Sequence, residues 1–136
     1  MLDNSVVIRW LLRDGSNADL AYATAVNRAL INSSCTAPSI WTLELTNVIV
    51  RAERRNDLAR ADADEFLNIV KALEIVIDDE TSSRMIETLA IARQFGTTAY
   101  DAAYLELARR RNLPLATLDR DLLRAAKRAG VRRYEP

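Results

Sequence analysis

The sequence contains no histidine and a single cysteine, Cys35. Without imidazole there is no Ser-His-Asp triad and no histidine-run acid–base chemistry. With one thiol there is no intrachain disulfide, and no Cys or His zinc site can be assembled. Cys35 stands in the small polar stretch INSSCTAPS without a partner, which suits packing better than reactivity. Three glycines and three prolines imply short connections and much helix. No apolar run approaches the roughly 20 residues of a membrane span, and the N-terminus lacks the basic-then-apolar pattern of a signal peptide. The expectation is a cytoplasmic protein with no membrane attachment. Any catalysis then falls to carboxylates, hydroxyls, Lys or Arg, together with an oxygen-seeking ion such as Mg²⁺ or Mn²⁺.

A chain of 136 residues, 49% hydrophobic and 28% charged, has the composition of one globular domain, taken here as residues 1–136. Net charge is zero but unevenly spread: nine basic residues and three acids lie between Arg109 and Pro136, against ten and sixteen before them. A basic C-terminal fifth suits a polyanion or an acidic protein partner.

The stretch TTAYDAAYLELARRR, Thr97 to Arg111, reads as a helix, with its arginines at the end where cations meet the dipole. Wound at about 100° per residue, it places Asp101 in the middle of an apolar stripe with Tyr104, Leu105 and Ala108. Glu106, Arg109 and Arg110 fall on the charged side. A carboxylate so placed needs a cation, either a basic side chain or a metal ion, unless it serves as a helix-start cap. Ahead of this stretch, Asp3-Asn4-Ser5 precedes VVIRWLL and reads as a helix start, leaving only Met1 and Leu2 for a first strand. Further helices are expected over 18–31, from a Ser39 cap to about Arg55, over 60–73, and from Thr81-Ser82-Ser83 to Phe95, where Gly96 ends the last of them. On the second of these, Glu44 borders the core face in line with Asn47, Arg51 and Arg55; alone it could be a solvated edge residue paired with Arg51 or Asn47. Short strands are expected at Cys35–Ala37, EIVID, LPLATL and Val131–Tyr134, with Asp119 capping a last helix. The acidic run Asp78-Asp79-Glu80 suits a helix N-terminus.

Alternating strands and helices predict a parallel sheet covered by helices, with functional groups beyond the carboxyl ends of its strands. Asp3, Glu44, Asp101 and Asp119 all come toward that edge. The segments LDNSVVIRWLL, IWTLELTNVIVRAERR and TAYDAAYLELARRRNLPLATLDRDL, in that order, resemble a PIN domain, specifically a VapC-type toxin of a toxin–antitoxin pair, over essentially the whole chain.

The resemblance implies a three-layer sandwich with a short parallel sheet of four to five strands, helices on both faces, and a metal-dependent ribonuclease activity. It implies an acidic pocket of Asp3, Glu44, Asp101 and Asp119 holding one or two Mg²⁺ or Mn²⁺ ions, flanked by Asn4, Ser5 and Thr117. It further implies a small antitoxin partner, a homodimer, and products with 5′-phosphate and 3′-hydroxyl ends. The chain departs from the pattern in having two apolar residues, rather than several, ahead of the first Asp. Arg51, Arg55, Arg109, Arg110 and Arg120 are candidates for holding the RNA backbone. The alternatives are an inactive protein-binding relative on the same scaffold, a solitary nuclease without antitoxin, and a phosphatase or phospho-acceptor receiver. The last lacks the paired acids after the first strand and the late, strand-end Lys that a receiver needs.

Overall fold

In a computed structural model that describes residues 1–136, the first helix begins where the sequence places it. Helix α1 (Asn4–Leu12) is capped by Asp3, whose carboxylate accepts the Ser5 N–H. Helix α2 (Asn17–Leu30) opens with a capping box in which Ser16 and Asp19 satisfy one another's backbone N–H groups. Strand β1 (Cys35–Pro38), helix α3 (Trp41–Arg54), helix α4 (Arg60–Ala72) and strand β2 (Ile75–Asp78) follow. A 3₁₀ turn over Asp79–Ser83 leads into α5 (Met85–Phe95), then α6 (Ala99–Arg110) and α7 (Arg120–Arg128). Gly96 ends α5 at φ +62°, the left-handed geometry that favours glycine there. Ser39 does not cap α3: the N-cap is Ile40, with no side-chain hydrogen bond. Thr81-Ser82-Ser83 lies inside the 3₁₀ turn rather than at the start of α5.

Two strands form, not four to five. β1 and β2 pair in parallel, Cys35 opposite Ile75 and Pro38 opposite Asp78. The other expected strands make only single parallel bridges, Leu2 to Ala116 and Leu115 to Arg133. Their shortness has a local cause. Asp3 turns the chain into helix after two residues, and Pro114 has no N–H to donate within LPLATL. Asp119 then opens α7 directly after that segment. The segments still lie side by side: the Leu2 N–H donates to the Thr36 carbonyl at 3.0 Å, and the Asp3 N–H to Ala116 at 3.0 Å. The Leu115 N–H donates to Arg132 at 2.9 Å. Asp3 and Thr117 thus end neighbouring backbone segments that run the same way.

α6 packs against β1, α5 and α7, while α1 packs against α2 and α3. Residues 102 to 108 of α6 are all buried, so this helix has no solvated side over those turns. The amphipathic reading of Thr97 to Arg111 therefore fails at two places. Glu106, expected on a charged face, is buried and accepts from Arg110 Nε at 2.9 Å. Asp101, expected mid-stripe, stands half-buried in the first turn, where α6 emerges from the core.

Arg110 is not free to hold RNA. Its guanidinium reaches Asp78 at 2.7 Å as well as Glu106, and Arg111 reaches Asp78 at 2.8 Å. Burial alone would raise the Asp78 carboxyl, but Arg110, Thr81 and Arg111 outweigh it and hold the group below the ordinary carboxylate range. Cys35 is half-buried, and desolvation pushes its thiol up to about 11, so it is unreactive near neutral pH.

Candidate active site

Asp3 and Asp119 are N-caps of α1 and α7, while Glu44 and Asp101 lie in the first turns of α3 and α6. Four helix N-termini therefore present their positive ends toward one set of carboxylates, which offsets part of their mutual repulsion. All four acids line a single cleft of about 750 Å³, together with Asn4, Ser5 and Tyr104.

Each acid is held by hydroxyl or amide donors. The Thr117 hydroxyl, fully buried, donates to Asp3 Oδ2 at 2.6 Å and accepts the Asp119 N–H at 3.0 Å. One side chain thus couples the acids that follow two neighbouring segments. Ser5 Oγ also donates to Asp3 Oδ2 and accepts the Leu118 N–H at 2.9 Å. Asp119 Oδ1 accepts the N–H groups of Asp121 and Leu122 at 2.7 and 2.9 Å. Thr97 Oγ1 donates to Asp101 Oδ2 at 2.8 Å, and Thr98 caps α6 by accepting the Asp101 N–H. The Tyr104 hydroxyl donates to Glu44 Oε2 at 2.6 Å, with a longer contact from Asn4 Nδ2 at 3.5 Å.

None of the four acids forms an ion pair with any side chain: the ion pairs of the chain lie elsewhere. Glu44 meets Tyr104, not the Arg51 or Asn47 of its own helix face. Desolvation raises the Asp3 carboxyl, opposed by Ser5 and Thr117 and reinforced by the charge of Asp119. Desolvation also raises Glu44, opposed by the Tyr104 hydrogen bond and reinforced by Asp3 and Asp101. For carboxyls raised on folding, the stabilising contribution is complete below their unfolded values, about 4. It is lost as pH rises through the raised folded values. These two groups therefore penalise the metal-free protein at neutral pH.

Tyr104 was visible in the sequence only as an apolar flank of Asp101. Its phenol is pushed far up by burial and by the charges of Asp3 and Glu44, so it is a fixed donor. Tyr104→Phe removes that donor without changing the packing. The expected result is a loss of about 1.5–3 kcal/mol in urea unfolding near pH 7, the range for a hydrogen bond to a charged group. Because the bond holds Glu44 down, the acid limb of any pH–rate profile should also move to higher pH. An unchanged limb would show that Glu44 does not titrate in the reaction.

Of the five arginines proposed for the RNA backbone, Arg51 lines the cleft. Arg110 is committed to Asp78, and Arg109 lines a separate small depression with Asn112 and Arg132. Arg55 is the C-cap of α3, one turn beyond the cleft lining, and Arg120 is exposed outside it. Sequence reasoning missed Arg9, which lines the cleft one helical turn after Ser5 and pairs with Asp14, and Tyr100, exposed at the rim beside Asp101. The i, i+4 spacing from Ser5 to Arg9 was the available signal.

An α/β protein whose acids gather beyond the carboxyl ends of a short parallel sheet, on helix N-termini and free of basic partners, has the build of a phosphodiester-cleaving enzyme. The chain belongs to the PIN domain family, whose model matches residues 1–128. PIN domains are in general nucleases and usually use divalent metals. No curated protein matches the chain. No helix is long and apolar enough to cross a membrane.

The donor set fits such an ion in kind. It is all oxygen, and Asn4 Oδ1 is buried in the cleft wall without a hydrogen-bond partner. No three acids converge into a ready cage. An ion that keeps several waters and takes one or two carboxylates, as Mg²⁺ does, suits that spacing better than one needing full protein ligation.

Proposed function

We propose that the protein is a metal-dependent endoribonuclease that serves as the toxin of a type II toxin–antitoxin pair in the cytoplasm. The observation that carries the nuclease part is the set of four acids on one cleft with no cationic side chain paired to any of them. A non-enzymatic relative would be free to spend such acids on arginines, as this chain does with Asp78.

Asp3, Asp101 and Asp119, with Glu44, would hold one or two Mg²⁺ or Mn²⁺ ions, each through one or two carboxylates and retained waters. Such an ion supplies a nucleophile at neutral pH by lowering the pKa of water, and stabilises charge developing on the phosphodiester. The residues of the chain do the positioning. Ser5 and Thr117 fix Asp3, Thr97 fixes Asp101, and Tyr104 fixes Glu44. Arg51 offers a cation to a backbone phosphate at the cleft wall. Hydrolysis by water needs no 2′-hydroxyl participation, and the family resemblance implies products with 5′-phosphate and 3′-hydroxyl ends.

A cleft of unpaired carboxylates is equally a receptor for a basic side chain, which is the route by which a small antitoxin would silence it. A homodimer fits the exposed Met85 and Ile86 on α5.

Purified protein should cleave RNA with Mg²⁺ or Mn²⁺ and stop in excess EDTA. Cleavage undiminished by chelator would defeat the nuclease mechanism, since no other group of the chain can readily activate water. Expression of the chain alone should arrest growth. Free high-level expression of active enzyme without a growth defect would remove the toxin assignment and leave a solitary nuclease.

A further inference from the structure

A second cleft, of about 680 Å³, adjoins the acidic one and shares Asp101 with it. Its walls are the α5–α6 turn, Gly96 to Thr98, and one face of α7 bearing Arg124, Lys127 and Arg128. Three of the nine basic residues of the C-terminal fifth thus come to one place, beside the candidate active site. We propose that this cleft is a binding subsite for RNA backbone phosphates adjacent to the one being cleaved. The proposal rests on the nuclease reading and adds to it the path of the strand.

The three cations differ in their commitments. Lys127 forms no ion pair. Arg124 pairs only with Asp121, and the two side chains are 70% and 75% exposed, so the pair is weak and yields readily to a competing phosphate. Arg128 donates to the Phe95 carbonyl through Nη2, which fixes it against the end of α5 while leaving Nε and Nη1 without a protein partner. Asp121 and Asp101 are the two acids of the cleft. Asp121 already has Arg124, and Asp101 faces the shared boundary.

A strand whose scissile phosphate lies among Asp3, Asp101 and Asp119 carries its next phosphates away from the acids. On the Asp101 side, the adjoining concave surface is this one. The space beside Gly96 is open: a Cβ there would meet nothing within 4 Å. Thr97 and Thr98 add hydroxyls at the boundary, though both are already engaged with Asp101. A strand spanning both clefts would pass the acids with Arg51 in the first cleft, the basic face of α7 in the second, and the exposed Tyr100 ring at the rim.

The test compares the full chain with Lys127→Ala/Arg124→Ala, and with Lys71→Ala, an exposed lysine on α4 outside both clefts. Binding of a fluorescent single-stranded RNA is measured by anisotropy in EDTA over a range of salt, and cleavage kinetics in Mg²⁺. The expected result is a roughly tenfold weaker affinity for the double variant, with a log–log salt slope shallower by about 1.4, at ~0.7 per phosphate contact on a single strand. KM should rise with kcat kept, the thermal midpoint should be unchanged, and Lys71→Ala should bind as the wild type does.

Wild-type affinity and slope in the double variant would overturn the subsite, as would an equal loss from Lys71→Ala. If an acidic peptide binds the wild type and loses affinity in the double variant while RNA does not, the cleft serves a protein partner and the proposal falls. A wild-type protein that neither binds nor cleaves RNA would instead overturn the nuclease reading itself.

Discussion

Asp101→Asn should abolish RNA cleavage without destabilising the metal-free protein. The contact of the Asp101 carboxylate is the Thr97 hydroxyl at 2.8 Å, and an amide oxygen accepts that bond equally well. No cation is left stranded, because none is paired with it. The change also removes one of the charges that raise Glu44, so metal-free stability should hold or rise. Two unit charges at 4 Å and an effective dielectric of 20 repel by about 4 kcal/mol. Partial exposure of Asp101 screens this, which leaves a gain on the order of 1 kcal/mol or less.

Cleavage should fall by about 10²-fold or more, as when a preorganised electrostatic group is removed from a reacting centre. Stabilisation by added Mn²⁺, about 2.7 kcal/mol for one site at a hundred times its dissociation constant, should weaken. The competing structural role, a buried ion pair, has the opposite sign and would cost about 3–5 kcal/mol. Urea unfolding in EDTA and in Mn²⁺ reads that sign. A large loss of metal-free stability would contradict the site as described.

Arg110→Met should do the reverse, a large loss of stability at a position away from the acidic cleft. It strips Glu106 of its partner and leaves Asp78, whose side chain is 0% exposed, with Arg111 and Thr81. Breaking a buried pair from one side costs about 3–5 kcal/mol. The pH dependence follows from the lowered Asp78 carboxyl. Its contribution is present above the unfolded value of about 3.9 and is lost as pH falls through the lower folded value. The gap between wild type and Arg110→Met should therefore be full at pH 7 and narrow below about pH 4. A loss under 1 kcal/mol at pH 7, or a gap that widens in acid, would show that the pair contributes little to stability.

Much of the site was legible because its chemistry is local. Asp3 and Asp119 announce themselves as caps: each is a short acid directly before an apolar-periodic run, and the caps exist as read. Glu44 was readable as a polar residue bordering a core face. The partners of these acids were not readable from local pattern: Ser5 and Thr117 came only through the family resemblance, and Tyr104 not at all. Tyr104 lies 60 residues from Glu44, and Thr117 lies 114 from Asp3. Neither pairing carries a local signal, since a buried Tyr and a buried Thr look like core until something polar meets them.

The arginines, of which Arg51 alone lines the cleft, were hard to read for a related reason. Charge can be counted in a sequence, but direction cannot. Arg110, a candidate for RNA as part of the basic C-terminal cluster, turns inward to Asp78. Arg9, on the short first helix, lines the cleft instead. The sheet fell short because propensity describes what a segment prefers, while strand length also depends on what interrupts it. Asp3 and Pro114 interrupt it here.

By itself the sequence determined the helices, the caps at Asp3 and Asp119 and the chemistry available to the protein, because periodicity, capping residues and the missing imidazole are properties of the chain read in order. Tertiary structure alone decided which hydroxyls hold those carboxylates, which arginines are spent on acids elsewhere and which are free, and that α6 is enclosed rather than amphipathic. Those are questions of what faces what across tens of residues, and only packing around the central helix answers them.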